Sequence, residues 1–469
     1  MGIAPENTDE ESLRAFAVQL QRIIRATADT VAEDSAAAPL IEKVTSHLKV
    51  SLAQVVVVAQ ELEAWEHATL QRGVDKYLEE QGTDPAWFGI AGGQRGHEDL
   101  MGMFAAARRH GIYELGAVDF ATASIGPEEV TEAVQLGLVP TTAPDGTPVI
   151  VGIRGPGGMH GPMICRFEVL SESRAAAVAA RDRIEQLMRE YDVLRGQVLA
   201  FGVSENRGNQ MLTFLPRPEL GGDDVVLPDG VLDTIERHVV SVADQSARLL
   251  ASGQHLKRGL LLHGPPGTGK THTVRYLMGR LPGTTVIVLT GMAMRFIGNA
   301  AVLARRLQPS LVVLEDVDLI AQDRSTTPMG NPLLFALLDA MDGIGNDADV
   351  TFVLTTNRAQ ELEHALTDRP GRVDLAVEVP KPDADGRERL FRLYGQGVEL
   401  TAELSQAVAE TEGVTASFIK ELLRRAALIS IAGDPGGTTV VVDDHALTTA
   451  LREMNESRST LTRSLLGSG

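Results

Sequence analysis

Apolar residues fall along this chain in three rhythms. Over residues 10–80 they recur every three to four positions. Leu13, Phe16, Ala17, Leu20, Ile23 and Ile24 form one stripe, and Ile41, Val44 and Leu48 form another that runs on through Val55, Val56, Ala59 and Leu62. That spacing puts an apolar stripe on one face of a helix, so it predicts a helical N-terminal segment over 1–80, with Pro39 at a join or in a first turn. The rhythm then breaks. Residues 81–125 are rich in glycine and carry Trp87, Phe88, Gly92, Gly93 and Gly96, which predicts loops around one helix near 97–110. Further on, VIVGI, ICRFEVL, VLAFGV and MLTFL read as strands around a helix over 172–190. Together these predict an α+β accessory domain over 81–220.

The third rhythm begins after PRPELGGDDVVLPDG (216–230), whose proline, glycine and acid content suits a linker. GLLLH, TTVIVL, SLVVLE, TFVLTT and LAVEV are apolar runs separated by helical stretches. Strands buried on both faces read this way, so the pattern predicts a parallel α/β domain over 221–380. From 381 to 455 the chain reads as helical, with LLRRAALISI its clearest stretch, and 456–469 is a tail.

Composition narrows the function classes. With 43 basic residues against 63 acidic, the net charge is −20, and aromatics make up 4%. Such a surface repels phosphate backbones and offers few stacking platforms, which disfavours a nucleic-acid motor. The one cysteine, Cys165, excludes an intrachain disulfide and suits a reducing compartment. No run approaches the ~20 apolar residues of a membrane span, and the acidic start MGIAPENTDEE lacks a signal-peptide pattern, so the expected location is cytoplasmic. GPGGMHG (155–161) is glycine-rich but lacks a phosphate loop's lysine, and reads as a plain connection.

The chemistry concentrates in the α/β part. GPPGTGKT follows one apolar run and precedes a helical one, the context a phosphate loop requires. Its glycines allow the turn that aims successive N–H groups at phosphate oxygens. The expected nucleotide-lining residues are Gly264, Pro265, Pro266, Gly267, Thr268, Gly269, Lys270, Thr271 and His272. Lys270 is expected to neutralise the β and γ phosphates, and Thr271 to offer its hydroxyl to Mg²⁺. SLVVLEDVD (310–318) is an apolar strand ending in carboxylates, the Walker B pattern. Its usual order is Asp then Glu; here it is Glu315 then Asp316. By position Glu315 is the metal group and Asp316 the general base. Asn357 ends TFVLTTNR, where a neutral amide can bond both a γ-phosphate and a water. Arg369 and Arg372 flank Pro-Gly in ALTDRPGRVD, a rigid loop suited to an arginine finger.

Taken together, GPPGTGKT, LEDVD, TTN and DRPGRVD resemble the AAA proteins of the AAA+ ATPase superfamily over roughly 225–455. The Glu-Asp order is similar to that of the mitochondrial Rieske-protein translocase group. The resemblance implies a P-loop AAA+ domain with a helical lid, ATP and Mg²⁺ as ligands, and a ring, usually a hexamer, whose sites are completed in trans by Arg369 and Arg372. Asn357 would be the first sensor. Phe296, Ile297 and Gly298 resemble the loop that faces the ring's channel. The second-sensor run departs from the pattern, with Ala416 and Ser417 in place of Gly-Ala, and no H-E-x-x-H protease motif is present. The expected function is a Mg-ATP-hydrolysing ring that remodels, unfolds or disassembles a protein partner. The alternative is a nucleotide-gated switch or scaffold that threads nothing.

Overall fold

The computed structural model describes residues 14–19, 22, 37–93, 95, 98–157, 164–202, 212–318, 332–345, 347–358, 372–434 and 438–465. The chain divides into two compact units. The first runs to Val193, and the second takes Leu194–Val203 and everything from Leu212.

The first unit holds α1 (Ala38–Leu48), β1 (Val56–Glu63), α2 (His67–Glu80), β2 (Gly89–Gly92), α3 (Leu100–His110), β3 (Tyr113–Gly116), β4 (Asp119–Ser124), β5 (Val130–Thr142), β6 (Pro148–Arg154), β7 (Ile164–Ser171) and α4 (Arg174–Glu190). Five strands form an antiparallel sheet in the order β1-β7-β6-β5-β4. In strand β6, Val149, Val151 and Ile153 pack under α2 and α4, whereas Ile150 packs with α1 and α3 on the other face. This is the two-residue alternation of a sheet covered on both sides.

One helical expectation fails here. Val56–Glu63 is a strand paired along its whole length with Ser171–Ile164. Its run of three valines is β-branched and packs well in a pleat. Apolar spacing over so short a stretch did not separate strand from helix. Of the first stripe, only Phe16 and Ala17 lie within the described residues, and there the chain is helical.

The second unit contributes β8 (Val198–Phe201), β9 (Leu212–Leu215), α5 (Val231–Asp244), α6 (Ser246–Ala251), β10 (Arg258–His263), α7 (Lys270–Arg280), β11 (Thr285–Thr290), α8 (Ile297–Arg306), β12 (Ser310–Glu315), α9 (Pro332–Asp342), β13 (Val350–Thr356) and β14 (Leu375–Glu378). The seven-stranded sheet runs β14-β10-β13-β12-β11-β8-β9, and every pairing is parallel except β8 with β9. The mixed α/β architecture with a parallel core matches the sequence expectation. The placement of β8 and β9 does not. Both were expected in the accessory domain, yet they extend the sheet beyond β11. Gly196 N–H donates to Thr285 Oγ1 and Val286 N–H to the Gln197 carbonyl, which sets that register. Arg217 locks the outgoing chain by donating to the carbonyls of Met278, Leu281, Gly196 and Thr284.

After the sheet, α10 (Ala384–Tyr394), β15 (Glu399–Leu400), α11 (Leu404–Glu410), α12 (Ala416–Gly433), β16 (Val441–Val442) and α13 (Asp444–Leu465) surround their own core of Phe391, Ile419, Leu422, Ala426, Val442 and Ala450.

Candidate active site

Parallel strands end on one edge of a sheet, and their following loops gather there. In this sheet that edge carries His263, Thr290, Glu315, Thr356 and Glu378, the last residues of five strands. The loop between β10 and α7 turns through left-handed glycines: Gly264 at φ 141°, Gly267 at 78° and Gly269 at 115°. Close approach adds a second reason for two of them. A Cβ on Gly264 would stand 2.3 Å from the Val379 carbonyl, and one on Gly267 would stand 2.2 Å from Ser417 Oγ. Pro265 accepts from the Thr268 hydroxyl, which fixes the loop's curve. Pro266 is exposed beside it.

Lys270 begins α7. Its buried ammonium donates to the carbonyls of Gly264 at 2.8 Å and Pro265 at 2.9 Å, and to Asn357 Oδ1 at 2.8 Å. Burial pulls its pKa down, and the charges of Asp316 and Asp318 oppose that shift. Thr271 is exposed, and its hydroxyl bonds the half-buried Glu315 carboxylate. Burial pushes the Glu315 pKa up; the Thr271 bond lowers it, Asp316 raises it and Arg275 lowers it. His272 sits differently from the expectation of a nucleotide contact: its Nε2 lies 2.9 Å from the Asp224 carbonyl, which ties the linker segment to α7.

Asp316 takes up a left-handed backbone, φ 54°. That region costs an ordinary L-residue roughly 1–2 kcal/mol, and among non-glycine residues Asp and Asn enter it most readily. This gives a physical reason for the shorter acid to stand second. Its N–H donates to Thr355 Oγ1 at 3.0 Å, and its Oδ1 accepts from Asn357 Nδ2 at 3.3 Å. Asn357 thus touches both Lys270 and Asp316. Sequence reasoning assigned no role to Asp318, Thr355 or Thr356. Asp318 is 6% exposed, and its Oδ1 accepts from the Thr356 hydroxyl at 3.2 Å and the Asn357 N–H at 3.1 Å. Two threonines before the sensor and a third acid after Glu-Asp were the only signal of these contacts.

The remaining candidates do not join this cluster. Arg372 is 8% exposed and forms a two-pronged ion pair with Asp342, at 3.0 and 2.7 Å. Arg369 lies outside the described residues. Phe296 is half-buried, stacked on Phe201 with centroids 5.8 Å apart, and the Arg295 guanidinium stands 4.7 Å from its ring centre. Ile297 is 1% exposed, so it packs under α8 and presents no side chain for gripping; Gly298 is exposed. From the helical part, the Ser417 N–H donates to the Gly267 carbonyl at 3.1 Å, so the start of α12 lies on the phosphate loop.

The donor set fits Mg-ATP. One ammonium is held by carbonyls where phosphate oxygens can replace them, and one hydroxyl and one carboxylate are paired for a hard cation that keeps several waters. No cluster of three or more metal-ligating side chains occurs among the described residues.

This arrangement defines a P-loop nucleotide site. Residues 260–381 match the family model for the "ATPase family associated with various cellular activities (AAA)". It is 27% identical over 232 residues to proteasome-activating nucleotidase 1 of Halobacterium salinarum, covering 46% of this chain and 57% of the relative. It is 30% identical over 240 residues to the ATP-dependent zinc metalloprotease FtsH 2 of Symbiobacterium thermophilum, with 48% and 40% covered. A proteasome-activating nucleotidase of Methanosphaerula palustris shares 30% over 192 residues, with 38% and 46% covered. The chain thus spans about half the length of the curated relatives it matches. No helix among the described residues is long and apolar enough to cross a membrane.

Proposed function

We propose that this protein binds Mg-ATP at the β10–α7 loop and hydrolyses it to ADP and phosphate, and that it works as a ring, a hexamer by family resemblance, which remodels, unfolds or disassembles a protein client. The observation that carries the hydrolysis is the bonded series Lys270–Asn357–Asp316, in which a cation for phosphate, an amide sensor and a carboxylate base meet at adjacent strand ends. Thr271 and Glu315 would hold magnesium, which screens charge on the phosphates. Asp316 accepts the water's proton, and Asn357 orients that water. Arg369 and Arg372 would serve a neighbouring subunit's site. For Arg372 this requires release from Asp342 on assembly.

Protein as the client class is supported by relatives named for proteasome activation and ATP-dependent proteolysis. The exposed side of the loop after β11 supports it too, with Met292 at 76% exposure and Phe296 held half-open by Phe201 and Arg295. An extended chain could be gripped there by apolar contact, with Phe296 rather than Ile297 as the gripping residue.

Burial of Ile297 favours the second reading, a nucleotide-gated switch that threads nothing. Phe296→Ala separates the two. Threading expects the variant to keep its ATPase while losing unfolding of a fluorescent model protein with an unstructured tail. Unfolding that persists in the variant would remove Phe296 as the grip, and a wild type that hydrolyses ATP without unfolding the model protein would leave the switch reading standing.

A further inference from the structure

Three carboxylates crowd the end of β12, and a site for a polyanion has an electrostatic reason to carry as few as possible. Glu315 and Asp316 have roles in the proposed hydrolysis. Asp318 lies within the same site, buried, and its charge is felt by Lys270. Its bonds go sideways into β13: one oxygen takes both the Thr356 hydroxyl and the Asn357 backbone N–H.

The neighbouring contacts run the same way. Asp316 N–H donates to Thr355 Oγ1, and Val317 N–H donates to the Thr355 carbonyl at 2.9 Å. Beyond Glu315 the chain has left the β12–β13 ladder, whose last pair is Leu314 with Leu354. These bonds, one between backbones and the others through side chains, carry the link to β13 past the end of the ladder. They fix the left-handed turn at Asp316 against the strand end that presents Asn357.

We propose that Asp318 is a positioning residue for hydrolysis: by gripping the backbone and hydroxyl on the Asn357 side, it makes Asp316 and Asn357 one rigid unit. Its hydrogen bonds go to Thr356 and Asn357, and it acts through Asn357. The inference rests on the proposed ATPase reaction at this site, which the wild-type rate tests separately. A catalytic group displaced by about 1 Å can lose about a hundredfold in rate with little change in binding, because positioning is expressed in the transition state.

The test compares Asp318→Ala, Asp318→Asn, Asn357→Ala and the Asp318→Ala/Asn357→Ala double variant. Each is assayed for steady-state ATP turnover and for affinity toward a fluorescent ATP analogue. The expected result is a kcat roughly 10- to 100-fold lower in Asp318→Ala, with nucleotide affinity within about threefold of wild type. Asp318→Asn keeps an acceptor oxygen and should recover part of the rate. The double variant should turn over no more slowly than Asn357→Ala alone, because the anchor matters only while the sensor is there. Losses that multiply, a kcat unchanged in Asp318→Ala, or affinity falling in step with kcat would each overturn the proposal. If Asp318→Ala does not fold, the Asp318→Asn/Asn357→Ala combination gives the same comparison. A wild type without turnover would instead sink the ATPase reading.

Discussion

The two larger sheets among the described residues bury polar side chains in different places. In the antiparallel sheet of the first unit, Glu168 sits mid-strand in β7, 3% exposed, with Arg166 3.2 Å away, and burial pushes its pKa up. His67, on the helix beside that sheet, spends its Nε2 on the Val134 carbonyl at 2.8 Å. These groups satisfy partners inside the fold. In the parallel sheet the interiors of the strands are almost wholly apolar, and the polar residues collect where the strands stop. Antiparallel strands send alternate ends to opposite edges, so their loops are shared between two sides. Parallel strands send every carboxyl end to one side. Strand direction, more than composition, separates a polar residue that stabilises from one that can act.

The largest expected effect on that contrast comes from Lys270→Ala. Removing the one ammonium in the β10–α7 cradle should weaken binding of a fluorescent ATP analogue by about a hundredfold or more. Retained affinity would mean the phosphates sit elsewhere. Asp316→Asn should come next, keeping nucleotide bound while turnover falls about 10²- to 10³-fold. Normal turnover would remove Asp316 as base.

Exchange of the Arg372 and Asp342 charges should have a smaller, diagnostic effect. If their pairing is chiefly an internal anchor, Arg372→Asp alone should lose about tenfold in ATPase and the double exchange with Asp342→Arg should regain most of it. If Arg372 acts in trans, the exchange stays inactive, while mixing Arg372→Ala with Lys270→Ala subunits restores activity.

The smallest effect concerns the other sheet. Burial holds the His67 pKa below its ordinary value, so below about pH 6.5 the unfolded chain takes a proton that the folded chain refuses. Stability of the first unit should therefore fall on acidification from pH 7 toward 5.5, and His67→Gln should flatten that slope. Both tryptophans, Trp65 and Trp87, lie in this unit, so their fluorescence reports its melting selectively. An unchanged slope in His67→Gln would show that His67 does not carry this dependence.

The core strands of the parallel sheet were legible because burial on both faces leaves near-continuous apolar runs. The phosphate loop was legible because glycines at left-handed positions and one lysine admit few alternatives. What stayed hidden was pairwise. That Val56–Glu63 is a strand depends on a partner more than a hundred residues away. That β8 and β9 join the second sheet depends on Gly196 and Gln197 meeting Thr285 and Val286, which local pattern does not encode. Asp318 stood in plain view as one more acid, and only the position of the Asn357 N–H gives it a task. Arg372 read as a free guanidinium because Asp342, thirty positions earlier, carries no mark of being its partner.

The β8–β9 pairing has a practical consequence for anyone isolating the second unit. Cutting the chain at the linker near Gly221, where composition invites a boundary, would strip β8 from β11 and bare the apolar edge of β11 to solvent. Such edges recruit other strands, so the shortened protein should precipitate or form soluble aggregates. A cut placed before Leu194 retains the pairing and should yield a well-behaved fragment.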